Sequence, residues 1–472
     1  MTRIVLGPFN RVEGDLEVSL DVVDGQVAAA WVNSPLFRGF EQILIGRPPL
    51  DALAIVPRIC GICSVAQSAA SAAALADAMG LTPTANGLLA RHLIQATENL
   101  ADHLSHFYLF FMPDFARPAY AGHPWYEAAA ARFAAVSGAA TAEILPARAA
   151  FLKLMGFLAG RWPHTLALQP GGSTRAMTAG ERVRLLALLR EFRSFLERSL
   201  FGDTLANVAA LDSRDALAAW AEGRTADFPR FLQFAGSLGL GRMGRAGDAF
   251  LSYGAYDCFA PGRWQDGVVS ELNPAAISED SVSAWLRNGP PRHPASGETL
   301  VDADKPDAYT WCKAPRYEGQ VYEVGALARQ VVAGHPLLRD LVVQAGGSVT
   351  ARVVARVLEL ALVAPRMEGW VRALQPGEPF CAHGSLPDEA VGVGLTEAAR
   401  GSLGHWLSIR RGRIDRYQII APTTWNFSPR DSDGQPGPLE AALVGLPAGE
   451  GAPPAVQHVV RSFDPCMVCT VH

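Results

Sequence analysis

The sequence predicts a mainly α-helical protein with a small antiparallel β-sheet at its N-terminus, an α+β chain folded as one interlocked body. Three observations carry that prediction. Residues 3–33 hold short apolar runs, Ile4-Val5-Leu6, Leu16 to Leu20 and Val27 to Val32, with the turn pair Asp24-Gly25 between the last two. Long helical patterns fill the middle of the chain: an Ala-rich stretch from Ser64 to Gly80, then about 87–112, Glu181–Leu200 and Ala351–Leu374. Two Cys-x-x-Cys pairs, Cys60/Cys63 and Cys466/Cys469, stand near opposite ends. If the pairs share a site, the termini fold together, which makes residues 1–472 a single domain. Its parts are the sheet and first pair (1–63), a helical body (64–420) and a C-terminal segment with the second pair (421–472).

Each element has a local reason. Alanine favours helix and lets backbones approach closely, so the helix after Ser64 is expected to pack tightly. Cys63 stands at its N-terminus, where the helix dipole is expected to lower thiol pKa values. Glu13 falls between the first two strands, and Glu98, Asp102, His103 and His106 share the second helix. The Gly- and Pro-rich stretches 286–307 and 428–454 are expected to be surface loops. Cys258, Cys312 and Cys381 stand alone and are expected to be small core residues.

Composition narrows the function classes. Apolar residues make up 49% of the 472 residues and charged residues 18%, which fits a large core and a face covered by another subunit. The net charge of -5 has no long basic run, which argues against nucleic acid or an anionic membrane surface. No apolar stretch is long enough for a membrane span, and Met1 to Pro8 does not read as a signal peptide. Seven cysteines, four of them paired by spacing, fit metal or redox chemistry better than a disulfide framework. Zinc ribbons place their two pairs about 15–20 residues apart, and the interval here is far longer. Spacing alone leaves structural zinc, an iron–sulfur cluster and a catalytic metal open.

The surrounding motifs narrow this further. Arg11-Val12-Glu13-Gly14, Phe37-Arg38-Gly39-Phe40-Glu41, Arg58-Ile59-Cys60-Gly61-Ile62-Cys63, Lys313-Ala314-Pro315-Arg316-Tyr317, Glu397-Ala398-Ala399-Arg400-Gly401 and Asp464 to His472 occur in that order. Together they resemble the large subunit of nickel–iron hydrogenases over essentially the whole chain. The resemblance implies that fold and heterolytic cleavage of H2 to protons and electrons. It also implies a nickel held by four thiolates, with Cys60 and Cys466 as terminal ligands. Cys63 and Cys469 would bridge to an iron carrying carbon monoxide and cyanide. The base would be a terminal cysteine thiolate or Arg400. Glu13 matches a proton gate, Asp102 and Asp464 the acids that hold Arg400 over the metals, and Thr423 a hydroxyl donor to a cyanide. Glu41, His472 and the backbone carbonyl of Ile419 match a magnesium site. Partners implied are a small subunit carrying iron–sulfur clusters and the maturation proteins that insert the metals.

Several departures from the family pattern matter. Gln67 stands where a histidine is usual, so hydrogen bonding near the metal is expected to differ. Ile62 and Phe110 are bulkier than usual along the gas channel. Ala399 replaces a proline before Arg400, which leaves that loop less rigid. The sequence ends at His472, without the C-terminal extension that is cleaved after metal insertion. Gln67 and that ending point to the regulatory, hydrogen-sensing hydrogenases, which turn over slowly and signal to a histidine kinase, and to a cytoplasmic location. The alternatives are an energy-conserving uptake hydrogenase and, more remotely, a zinc-binding scaffold subunit. A large subunit can also be exported folded with a partner that carries the signal.

Overall fold

The computed structural model describes residues 2–448 and 453–472. Strands β1 (Thr2–Leu6), β2 (Glu17–Val23) and β3 (Gln26–Asn33) form the N-terminal antiparallel sheet in sequence order. Asp24 and Gly25 take φ values of 49° and 76°, the left-handed pair that a two-residue hairpin requires. After β3 come a short helix α1 (Phe40–Leu44), then α2 (Ser64–Met79) and α3 (Ala85–Ser105). The long helices α4 (Ala139–Ala159), α5 (Ala179–Phe195) and α6 (Val349–Ala373) follow. Side chains from α3 to α6 build the main core, with Leu100, Leu104, Leu154, Leu189, Val357 and Leu360 buried in it. The fold is therefore mainly α-helical with a small N-terminal sheet, as expected.

Start signals sit where side-chain chemistry demands them. Thr178 and Glu181 form a reciprocal capping box on α5, and Ser348 Oγ accepts the Ala351 N–H on α6. The pattern expected over 87–112 divides: α3 ends at Ser105 and continues as a π-helical turn over His106–Phe111. A similar π turn, Leu196–Phe201, follows α5.

A second sheet, unforeseen within the expected helical body, comprises β4 (Glu389–Ala398), β5 (Gly401–Arg410) and β6 (Arg413–Ile420). It lies directly on α2. A Cβ at Gly392 would stand 2.1 Å from the Ala74 carbonyl oxygen, and one at Gly394 would stand 1.9 Å from that of Ala70. Glycine on the strand and alanine on the helix are thus one device. This contact builds a second core that contains all four paired cysteines with Ala66, Ala70, Leu403 and Tyr417. The C-terminal helices α7 (Pro422–Asn426), α8 (Pro454–Ser462) and α9 (Met467–Thr470) close the site.

Two loop expectations need correction. Within 428–454, Ser428, Asp431 and Glu440 are buried, and Gly445 and Leu446 hydrogen-bond with Val27 of β3. That stretch is a docked segment, and its residues 449–452 lie outside the described ones. Within 286–307, the Lys305 ammonium is buried and donates to the carbonyls of Ser281, Ala284 and Leu286. Of the isolated cysteines, Cys312 is buried, while Cys258 and Cys381 are partly exposed.

Candidate active site

The two ends meet. Cys60, Cys63, Cys466 and Cys469 bring their sulfurs within 4.8 Å of one another, all buried. Cys60 and Cys466 are 3.5 Å apart, Cys63 and Cys469 2.9 Å, and Cys466 and Cys469 3.2 Å. All four are free cysteines. Four convergent buried thiols are the donor set for a soft transition metal, so the residues fit such a centre.

Backbone chemistry positions them. Cys63 occupies the N-cap of α2, yet no side chain of its own segment caps that helix. The Glu98 carboxylate of α3 does so instead, accepting the N–H groups of Val65 and Ala66 (both 3.0 Å), the Ser64 hydroxyl and the Trp162 indole N–H. Cys466 pairs with Glu13: the Met467 N–H donates to the Glu13 carbonyl at 2.7 Å in a parallel bridge.

The expectation that helix position lowers the thiol pKa values is corrected. Hydrogen bonds among the sulfurs hold Cys60 well below its usual value and push Cys63 well above it, and burial drives Cys469 up. Meanwhile Glu98 occupies the helix end that would otherwise favour a thiolate at Cys63.

Glu98 is itself a titration device. Burial lifts its carboxyl from 4.5 to about 8 against the pull of its donors. A carboxyl with a raised folded pKa binds its proton more tightly in the folded chain. Its contribution to stability is therefore full below about 4.5 and is lost as pH rises through about 8. The Glu98→Gln chain is expected to lose about 1–3 kcal/mol at neutral pH by facing N–H donors with an amide N–H2. It is also expected to lose less stability than wild type between pH 6 and 9. Thermal unfolding across that range checks both; equal pH slopes would contradict the role.

Above the cage stands Arg400, at the tip of the two-residue turn between β4 and β5. Its Nη1 donates to Asp102 at 2.7 Å, its Nη2 to Asp464 Oδ1 at 3.0 Å and its Nε to the Asp464 carbonyl at 2.9 Å. Burial pulls the guanidinium down, but Asp102 and Asp464 outweigh it, and Arg400 stays a cation. The two acids divide their roles. Burial lifts Asp102 to about 7, whereas burial at Asp464 is overcome by Arg400, which keeps it below its usual value. The turn that carries Ala399 is braced by Arg329, which donates to the carbonyls of Ala398 and Ala399 while pairing with Glu359 and Glu397.

Other expected site residues also gather. The Thr423 hydroxyl oxygen accepts the Cys466 N–H at 3.2 Å, which places it beside the cage. Glu13 is half-buried, and burial and the Cys60 charge raise its pKa against Arg400 and Arg38. Glu41 accepts the Ile419 N–H at 2.8 Å and lies 3.2 Å from His472 Nε2, with the Lys313 ammonium at 3.5 Å. Burial opposes ionisation there, but Lys313 and His472 hold Glu41 at about 2. Gln67 is buried one turn after Cys63. Its Oε1 takes the Nε2–H of His405, which burial keeps neutral at about 3, and His405 Nδ1 accepts the Tyr417 hydroxyl. Among the described residues, Gln67 Nε2 has no partner. The sequence reading assigned no role to Arg38, Glu98 or His405; the one local hint was Glu98, one helical turn before Asp102.

Comparison with known proteins decides the family. The nickel-dependent hydrogenase family matches residues 38–140 and 115–472. This chain belongs to it. The periplasmic NiFeSe hydrogenase large subunit of Desulfomicrobium baculatum is 33% identical over 506 positions, covering 100% of this chain and 95% of that one. The uptake hydrogenase large subunit of Rhodobacter capsulatus is 28% identical, covering 100% and 95%. The reduced Ni-Fe-Se hydrogenase of D. vulgaris Hildenborough superposes with a TM-score of 0.87 at 31% identity, covering all of both chains. The chain is a nickel–iron hydrogenase large subunit, an enzyme of H2 oxidation whose metal centre is bound by the cysteine cluster. Zinc scaffolding and an iron–sulfur cluster are no longer alternatives.

Two expectations are overturned by the same comparisons. The regulatory, hydrogen-sensing reading, and with it the histidine kinase partner, gives way, because these relatives are periplasmic and uptake enzymes. Gln67 alone does not make a sensor: it is one buried amide held by His405, one turn after Cys63. The cytoplasmic placement falls with the periplasmic relative. It rested on the N-terminal residues of this chain, which do not govern where a partnered subunit travels. Among the described residues, no helix is long and apolar enough to cross a membrane.

Proposed function

We propose that this chain is the large subunit of an uptake-type nickel–iron hydrogenase, which feeds electrons from H2 to a small subunit carrying iron–sulfur clusters. The observation that carries this reading is the buried four-sulfur cage beneath the Arg400 guanidinium. Cys60 and Cys466 would be terminal ligands of nickel, and Cys63 and Cys469 would bridge it to iron. Bound there, the two metals would supply the Lewis acidity and the electron-accepting capacity that H2 cleavage needs.

The chain's own residues do the rest. Arg400 presents a buried cation, which would favour the anionic cyanide ligands of an iron, and Thr423 offers a hydroxyl beside Cys466. Asp102 and Asp464 favour the charged guanidinium, which supports a terminal cysteine thiolate over Arg400 as the base. Glu13 sits where it can receive the proton from the Cys60 and Cys466 side, its pKa raised by burial. Glu41, His472 and Ile419 gather where a magnesium ion would tie down the C-terminus.

The test is steady-state H2 oxidation by the purified complex with an artificial electron acceptor. Sustained turnover is expected. The Glu13→Gln complex is expected to lose roughly 10²–10⁴-fold in rate while keeping its metals, since only proton transfer is cut. Full activity in that variant would remove Glu13 from the proton path.

A further inference from the structure

The metal cage is assembled from segments 406 residues apart in sequence, and nothing in cysteine chemistry alone holds them in register before a metal arrives. Arg38, itself exposed, lies in the segment between β3 and α1. Its Nη2 donates to the carbonyl of Ile59 at 2.6 Å, the residue just before Cys60. The same guanidinium donates to the carbonyl of Val468, the residue just before Cys469. One side chain thus joins the backbones that lead into both cysteine pairs.

Its own position is fixed. The guanidinium lies 4.9 Å from the centroid of the Phe40 ring. Gly39, at φ 70°, turns the chain between Arg38 and Phe40, and a Cβ there would meet Gln42 Oε1 at 2.7 Å. That turn sends Arg38 toward Val468 and Glu41 toward His472. Residues 38–41 therefore grip the C-terminal segment at two places, one on each side of Cys469. Arg38 also bears on Glu13, whose carboxyl it pulls down against burial.

We propose that Arg38 is a positioning residue: a clamp that seats the C-terminal segment against the first cysteine pair and so brings four sulfurs together for metal loading. A guanidinium suits this task because its planar fork carries several donors on one permanently charged group and spans two carbonyls without a carboxylate. The clamp acts on backbone; it neither touches the metals nor exchanges protons with them. Its metal consequence rests on the hydrogenase reading, whereas the clamp itself does not.

The test uses the full chain purified from nickel-depleted and nickel-replete cells, with hydrogen exchange read on the peptide containing residues 464–472. In the nickel-depleted chain, Arg38→Ala is expected to speed that exchange about tenfold, the effect of losing a charge-assisted hydrogen bond from a local opening equilibrium. Arg38→Lys, which keeps a donor and a charge, is expected to fall between the two. In nickel-replete cells the Ala chain is expected to carry several-fold less nickel than wild type. Unchanged exchange in Arg38→Ala would overturn the clamp, whatever the metal content. A wild-type chain that takes up no nickel, with exchange still faster in Arg38→Ala, would uphold the clamp and overturn the metal reading instead.

Discussion

Cys466→Ser is expected to abolish both nickel binding and H2 oxidation, with metal content at background. The change removes one of four sulfurs from a cage in which Cys466 lies 3.5 Å from Cys60 and 3.2 Å from Cys469. A serine hydroxyl stays protonated at neutral pH and offers a hard oxygen where a soft thiolate is needed. The packing cost is small. Cys466 is completely buried, but serine is close to it in size, and the Cys466 N–H keeps its bond to Thr423. The folded chain should therefore persist without its metal. Quantified nickel and iron per chain, beside an unfolding curve, check the result; near-stoichiometric nickel in the serine variant would contradict the ligand assignment.

Arg400→Leu is the second large effect. It deletes the cation shared by Asp102 and Asp464 and leaves two buried acids without their partner. Removing one member of such a buried group costs about 3–5 kcal/mol in stability. Asp102, already raised to about 7, would take up a proton at neutral pH, and the turn at 399–400 would lose four hydrogen bonds to Asp102 and Asp464. Activity is expected to fall by roughly 10²–10³-fold, the range seen when one preorganised donor is lost from a water-excluded site. Arg400→Lys should restore charge and stability in part but not rate, since an ammonium cannot reach both acids and the cage in one plane. Unfolding midpoints and steady-state rates of the two variants separate the structural from the catalytic share. A Lys variant with wild-type turnover would show that only the charge matters.

What the sequence revealed and what it hid follow from the range of the interactions. The cysteine pairs, the Asp24-Gly25 turn and the Ala-rich helix are local signals, and each was legible. The motifs around Glu13, Glu41, Asp102, Arg400, Thr423 and His472 were legible too, and the structure brings Asp102, Arg400 and Thr423 beside the C-terminal cysteine segment and Glu41 to His472. The second sheet was hidden because β4 carries Gly392 and Gly394, residues that weaken a strand pattern. They are there because α2 comes so close that no side chain fits, a requirement visible only once both elements are placed. Glu98 and Arg38 escaped for a related reason. Their partners are distant: the backbone and side-chain donors to Glu98 lie more than thirty residues away, and the Val468 carbonyl is 430 residues from Arg38, so nothing local in sequence announces them. Gln67 was noticed as a departure, yet its meaning was misjudged. Its His405 and Tyr417 neighbours come from the hidden sheet, and they hold its amide in place.

The central claim is that the four sulfurs bind nickel together with iron. Nickel-edge X-ray absorption on the purified complex, with metal quantification on the same sample, tests it most directly. The expected result is one nickel per chain in a shell of sulfur donors, with iron close by and in excess of the small subunit's clusters. A single zinc in that shell, without nickel, would contradict the account.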